Sequence, residues 1–302
     1  MPRLAVRLLG TFQAELNGDP VGGFSSAKVR ALLAFLVMER QRPHSRDELC
    51  GLLWPDEPQE VAQANLRQVL ANSRQVLGDR SAAMPLLIVT RDAVGLAEGA
   101  DCSVDAREFM DWLDRCRAHP HRRPEACASC IEGLDGALRL YRGDFLDGLY
   151  IDAAPEYDAW AAAQRERVRS DALAALSTLA EHYLLTGKHE LAGEFARRQL
   201  ELEPWREEAH CQLMRSYVLA GNRSAALNQF ETCRRIMAAE FHAEPSAETQ
   251  ALLRRIRQGQ LAIQVPLRNW PTPVTAFIGR VRELATRVAD RLRDNPNLAN
   301  IH

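Results

Sequence analysis

Between residues 59 and 77 the sequence sets out side chains suited to the edges and phosphates of a nucleic acid. At about 100° per residue, Ala62, Leu66, Val69, Leu70, Ser73, Val76 and Leu77 share a face that must pack on other helices. The opposite face shows Ala64, Gln68, Ala71 and Gln75 along its centre, with Arg67 and Arg74 on one flank and Asn65 and Asn72 on the other. From Ala64 onward it holds no carboxylate until Asp79, and each flank pair, seven residues apart, recurs at one azimuth. Small central residues let a helix sink into a major groove. Gln and Asn can address adenine edges, Ala a thymine methyl, and Arg a phosphate or guanine. A polar amphipathic face alone reads as solvated; the missing acids and the flank symmetry point to a groove. Arg91, in a later tight turn, fits a wing that reaches the backbone, with Arg46 and Lys28 as secondary candidates.

A second cluster could hold a metal. Cys116-x2-His119-x-His121 followed by Cys127-x2-Cys130 offers thiols and imidazoles at zinc-like spacing. The same residues also read as incidental reduced thiols and loop histidines. The seven-residue gap between the pairs is short for a zinc ribbon, so no metal is assigned. His182, His189 and His210 are scattered, with no serine or cysteine nucleophile placed beside them. Trp54, Trp112, Trp160 and Trp205 read as core or cap residues, and the carboxylates over 201–208 as a solvated surface. No catalytic constellation and no cofactor site follow.

The elements that must position the polar face come from the pattern on either side. Leu4, Val6 and Leu8 alternate, and a second run over 11–16 reaches Asn17-Gly18, the strongest short hairpin signal, so the chain opens as a small antiparallel sheet. Val29, Leu32, Leu33, Leu36 and Val37 then fall at helical spacing behind Ser25 or Ser26. Ser45 with Glu48 makes a capping box for a second helix, which stops before Trp54-Pro55. The third helix, 59–77, ends at Gly78, and 86–90 with 94–96 form a hairpin around Arg91-Asp92. Sheet, three helices and hairpin is the element order of a winged helix.

Beyond Val104-Asp105 the pattern is helical throughout. Tyr183, Gly187 and Ala192 recur 34 residues later as Tyr217, Gly221 and Ala226, the tetratricopeptide period. Helices expected near 105–118, 125–141, 156–171 and 246–258 complete the core. Residues 261–275, with three prolines and no period, read as a linker. The expected organisation is a winged-helix domain (1–100), a helical domain (101–260) and a linker with a short third segment (261–302). The fold class is mainly α: a winged helix-turn-helix with small β-sheets, then an all-α tetratricopeptide-like domain.

With 302 residues, 46% hydrophobic and 26% charged, the chain suits globular cores and excludes wholesale disorder or a disulfide mini-scaffold. The net charge of −2 averages +1 for residues 1–95, −6 for 96–265 and +3 for 266–302. Seven cysteines without a secretory or membrane-spanning segment read as reduced and cytoplasmic.

Several motifs together resemble a known family. Leu8-Leu9-Gly10, Leu52-Leu53-Trp54-Pro55-Asp56, Ala64-Asn65-Leu66-Arg67 and Gly78-Asp79 closely resemble the winged-helix domain of SARP-type bacterial transcriptional activators, a branch of the response-regulator effector fold. The middle segment is similar to their bacterial transcriptional activation domain. The similarity there lies in Val104-Asp105 with Phe109, in the run from Leu140 through Arg142-Gly143-Asp144 to Leu146, and in Trp160 with Arg165-Glu166-Arg167. It continues through Leu213-Met214 with Tyr217, the run from Gly221-Asn222 to Leu227, and Glu244-Pro245-Ser246 with Thr249. Phe241-His242 departs from the family's usual Leu-Gly.

The resemblance implies DNA binding by Asn65, Arg67, Gln68, Asn72, Arg74 and Arg91, and RNA polymerase contact by Trp54, Asp56, Glu57 and Glu60. It also implies promoter repeats bound by a homodimer; that no stretch approaches about 18 uninterrupted apolar residues argues separately against a membrane partner. Phe277-Ile278-Gly279-Arg280 with Glu283-Leu284 resembles the entry of the ATPase domains fused behind this pair in larger regulators, without the G-x-x-x-x-G-K-[ST] phosphate loop. Relative to those regulators the chain looks truncated. The alternative reading is a tetratricopeptide-like interaction scaffold with a degenerate winged helix.

Overall fold

A computed structural model describes residues 3–80, 82, 84–121 and 123–260. The expected linker and ATPase-like entry at 261–302 lie outside them.

Alternation puts Leu4 and Val6 of strand β1 (Arg3–Arg7) on the buried face. After β2 (Gly10–Thr11), β3 (Gln13–Leu16) pairs antiparallel with β1 and turns into β4 (Asp19–Pro20). The turn residues Asn17 and Gly18 both take positive φ, 56° and 94°, as the Asn-Gly hairpin signal requires. The sheet is mixed rather than purely antiparallel. Strand β8 (Asp101–Val104) returns from far along the chain to lie parallel to β1, giving the order β4-β3-β1-β8. A parallel neighbour needs no hairpin, so no local turn signal announces it.

Three helices follow as expected: α1 (Ala27–Met38), α2 (Arg46–Leu53) and α3 (Gln59–Val76). Leu66 of α3 is fully buried and Leu70 nearly so, which is worth about 1.5–3 kcal/mol per side chain. The wing consists of β6 (Leu87–Val89) and β7 (Ala93–Leu96), extended by the short β5 (His44–Ser45) on the other side of β7.

The turn into α2 is held by a charged clip. Ser45 Oγ accepts from the Glu48 amide, closing the expected cap. The Glu48 carboxylate accepts from both terminal guanidinium nitrogens of Arg42 (3.0 and 2.8 Å) and faces Nδ1 of the buried His44 (3.0 Å). Its pKa falls from an ordinary 4.5 to about 2, chiefly through the Arg42 hydrogen bond and then through His44. A depressed carboxylate pKa contributes stability above the unfolded value, and that contribution disappears as pH drops toward the folded one. Stability should therefore decline between about pH 4.5 and pH 2, and Glu48→Gln should flatten that limb in acid titrations followed by circular dichroism.

The second half begins with α4 (Asp105–Ala118), a 3₁₀ turn (Pro124–Ala126) and α5 (Ala128–Leu140). It is not wholly helical: β9 (Phe145–Asp147) pairs parallel with β2. The helix expected over 156–171 runs on without a break as α6 (Pro155–Leu185), because no glycine or proline interrupts it after its first residue. Then come α7 (His189–Leu202), α8 (Glu207–Leu219), α9 (Arg223–Phe241) and α10 (Ala247–Arg257). The 34-residue repeat shows in matched geometry. Gly187 and Gly221 take φ of 77° and 81° in the interhelical turns, and Ala192 and Ala226 are fully buried. His242, where the family usually has glycine, takes the left-handed conformation (φ 52°) at the end of α9.

The winged helix and the helical segment share one hydrophobic core, running from Leu4 to Phe195. Asp105 lies in the seam, where it accepts from the amides of Leu8 (2.6 Å), Leu9 (3.2 Å) and Ala106 (2.8 Å) and from Arg142 (2.8 Å). The Gly10 amide donates to the Asp144 carbonyl and the Leu146 amide to the Leu8 carbonyl. Trp160 packs on Phe35 and Phe145 and donates to Glu39. Three motifs far apart in sequence thus meet in one joint. Among the described residues no helix is long and apolar enough to cross a membrane.

Candidate nucleic-acid interface

Helix α3 turns Leu66, Val69 and Leu70 inward and leaves Gln63, Ala64, Arg67 and Gln68 exposed. Its C-terminal end is fixed by the turn that follows. The chain leaves α3 through Gly78 in the left-handed conformation (φ 68°), which frees the Asp79 side chain to turn back. Asp79 is 3% exposed, and its two carboxylate oxygens accept from the amides of Leu86 and Leu87 at 2.9 and 2.8 Å. That clasp fixes the start of the wing against the end of α3. Asp79→Ala would leave two buried amides without acceptors, and we expect a loss of about 2 kcal/mol in urea unfolding. Asp79→Asn, with one acceptor oxygen, should fall between alanine and wild type.

The other end of the wing is tied to α2. The Arg46 guanidinium donates twice to the Thr90 carbonyl (3.1 and 3.0 Å), and its amide donates to Asp92. Arg46 is thus a strut. Lys28 is one as well: its ammonium donates to the Leu53 carbonyl at 2.7 Å and lies 5.0 Å from the Trp54 ring centroid.

With both ends fixed, the wing turn faces α3 across an open groove lined by Ser45, Arg46, Asp47, Gln63, Arg67 and Arg91, with Asp92 at its edge. Arg67 and Arg91, 24 positions apart in sequence, stand on this one groove. Both are exposed, and Arg67 is held along its helix by a hydrogen bond from Nε to the Gln63 carbonyl.

The other sequence candidates divide. Gln68 is exposed and Asn65 half-buried on the same helix. Asn72 is engaged within the fold: its side chain accepts from the Ser25 amide and donates to the Gly23 carbonyl, clipping residues 23–25 to α3. Arg74 is half-buried. Arg80 donates to the Ala71 carbonyl, so the C-terminal half of the polar face is partly covered. Glu60 is exposed in the first turn of α3, so the acid-free stretch begins after it. Local spacing gave no sign of the loop that takes up Asn72, since the partner lies 47 or more residues away.

In the loop before α3, Asp56, Glu57 and Glu60 are exposed, whereas Trp54 is only 7% exposed and packs in the core. Trp54 therefore supports the acidic loop from below and presents little surface to a partner.

A winged helix thus shares one core with a tetratricopeptide-like bundle, and known relatives place that arrangement among bacterial transcriptional regulators rather than enzymes. The chain belongs to the bacterial transcriptional activator domain family, which it matches over residues 104–257, and to its SARP-type regulators. It is 27% identical over 267 residues to the transcriptional regulatory protein EmbR of Mycobacterium tuberculosis, covering 85% of this chain and 64% of EmbR. It is 29% identical over 298 residues to the regulatory protein AfsR of Streptomyces coelicolor, covering 92% of this chain and 28% of AfsR. The chain thus spans just under two thirds of EmbR and a much smaller part of AfsR. A solved structure of M. tuberculosis EmbR in complex with a low affinity phosphopeptide superposes with a TM-score of 0.66 at 26% identity, covering 86% of this chain and 66% of that one.

Proposed function

We propose that the protein is a cytoplasmic, sequence-specific DNA-binding transcriptional regulator acting as an activator. Helix α3 enters the major groove with Arg67, Gln68 and Asn65 toward the bases, and Arg91 on the wing meets the phosphate backbone. Asp56, Glu57 and Glu60 face RNA polymerase from the loop before α3, and two chains bind promoter repeats as a homodimer. Asn72 serves the interface by holding residues 23–25 against α3, and Arg74, half-buried further along α3, adds a positive charge to the same helix.

The observation that carries this reading is the convergence of Arg67 and Arg91 on one groove beside the exposed N-terminal half of α3. Family membership supports the regulatory role. The modest charge of the first 95 residues, +1, supports a dimer, since a single copy gains little from releasing counterions on DNA.

Footprinting of the full chain on the region upstream of its own gene, with selection from random duplexes in parallel, tests it. The expected result is protection of repeated half-sites that weakens steeply with salt. Absence of salt-sensitive, sequence-selective binding in both formats would leave the interaction-scaffold reading in its place.

A further inference from the structure

The cysteine and histidine cluster set aside on spacing becomes a site in three dimensions. Cys116 sits in the last turn of α4 and Cys130 in the first turn of α5, with His119, His121 and Cys127 in the connection between them. The short gap brings the pairs together because α4 and α5 pack side by side. Gly133 allows that approach: a Cβ there would stand 2.9 Å from the Trp112 ring of α4. Two groups result, Cys116, His121 and Cys130, and His119, Cys127 and Cys130, each with its ligand atoms within 4.8 Å of one another. Cys130 belongs to both, and it is buried.

From these contacts we infer that the junction of α4 and α5 is a structural zinc site: His119, Cys127 and Cys130 are already gathered as three ligands, and Cys116, which meets Cys130 in the second group, closes the set as the fourth once the end of α4 shifts toward them. Zn–S and Zn–N bonds of about 2.3 and 2.0–2.1 Å at a tetrahedral angle require S···N edges of about 3.6 Å. His119 Nδ1 lies 3.5 Å from Cys127 Sγ and 3.6 Å from Cys130 Sγ. All three sulfurs are free thiols. His121 takes a supporting role, with Nε2 3.1 Å from the Cys116 carbonyl, which holds the connection against the end of α4.

A closed Cys₃His set has no open position for a substrate, so the metal's task is to fix the joint. That joint reaches the rest of the bundle: His182 of α6 is 2.8 Å from the Glu125 carbonyl in the connection. Because the ligands are brought together by the fold, zinc binding stabilises it.

The test uses the full chain, reduced, loaded with excess zinc and exchanged into metal-free buffer. Elemental analysis should find one zinc per chain, cobalt substitution should give the intense visible absorption of a tetrahedral thiolate site, and a chelator should lower the melting temperature. Cys127→Ser/Cys130→Ser and His119→Ala should lose the metal, and His121→Ala should retain it. Wild-type protein that is folded by circular dichroism yet free of zinc would overturn the assignment, whether its thiols titrate freely or form a disulfide. So would zinc retained by the double serine variant, or lost with His121 and kept without His119.

Discussion

Arg67→Ala/Arg91→Ala is expected to weaken binding to a selected DNA site by about two orders of magnitude at moderate salt. Each residue addresses the nucleic acid differently. Arg67 stands on an exposed face of α3, while Arg91 is at the tip of the wing. A base contact is worth about 1–3 kcal/mol and a phosphate contact weakens binding to all sequences alike when it is lost, and one tenfold step in affinity is about 1.4 kcal/mol. The two single variants should separate the roles in fluorescence anisotropy over a salt series. Arg91→Ala should lower affinity equally for all sequences and reduce the slope of log affinity against log salt by about one. Arg67→Ala should also relax preference at one or two base positions of each half-site. Neither arginine packs in the core, so melting temperatures should be unchanged. If the double variant binds as tightly as wild type, the groove between α3 and the wing is not the DNA surface.

Asp105→Ala is expected to destabilise the chain by about 2–4 kcal/mol, the cost of leaving two buried amides without acceptors. Asp105 is only 7% exposed and takes hydrogen bonds from three amides and Arg142. Burial pushes its carboxyl up from the ordinary aspartate value, while the Leu8 and Leu9 amides and the Arg142 charge pull against that rise. Alanine would leave the Leu8 and Leu9 amides buried without acceptors, while the exposed Arg142 would keep its bond to the Leu9 carbonyl. Urea unfolding followed by circular dichroism should show the midpoint falling with little change in slope. Asp105→Asn keeps the volume and one acceptor oxygen, so it should lose less. A loss below about 1 kcal/mol for alanine, within the range of an ordinary hydrogen bond, would mean the seam does not depend on this carboxylate.

These two predictions rest on different kinds of information. The polar face of α3 was legible because a helix places residues seven apart at one azimuth, so side-chain type and spacing suffice. The same is true of the Ser45 and Glu48 cap, the Asn17-Gly18 turn and the 34-residue repeat, all set by near neighbours. Asn72 and Trp54 show the limit. The chemistry of Asn72 suited an interface, but Gly23 and Ser25 take up its amide, and Trp54, to which the resemblance gave a polymerase contact, lies within the core as its own apolar surroundings in sequence implied. Val104-Asp105, Leu8-Leu9-Gly10 and the run around Arg142 were visible as family motifs without any indication of their physical role. Each is one part of a joint whose members lie as far as 138 positions apart, from Leu8 to Leu146.

By itself the sequence determined that most of the chain is helical, the caps of α2 and the stop of α3, which face of α3 is polar, and that a winged helix precedes a tetratricopeptide-like bundle. Those features follow from interactions within a few turns of the chain. It did not determine that α6 runs on to Leu185 or that β9 interrupts the second half. Only the tertiary structure decided that β8 lies parallel to β1, that Arg67 and Arg91 share a groove, that Asp105 joins the two halves, and that Cys116 meets Cys130 across α4 and α5. Such meetings depend on how helices and strands bury a common core, and apolar periodicity records that a face is buried without recording what covers it.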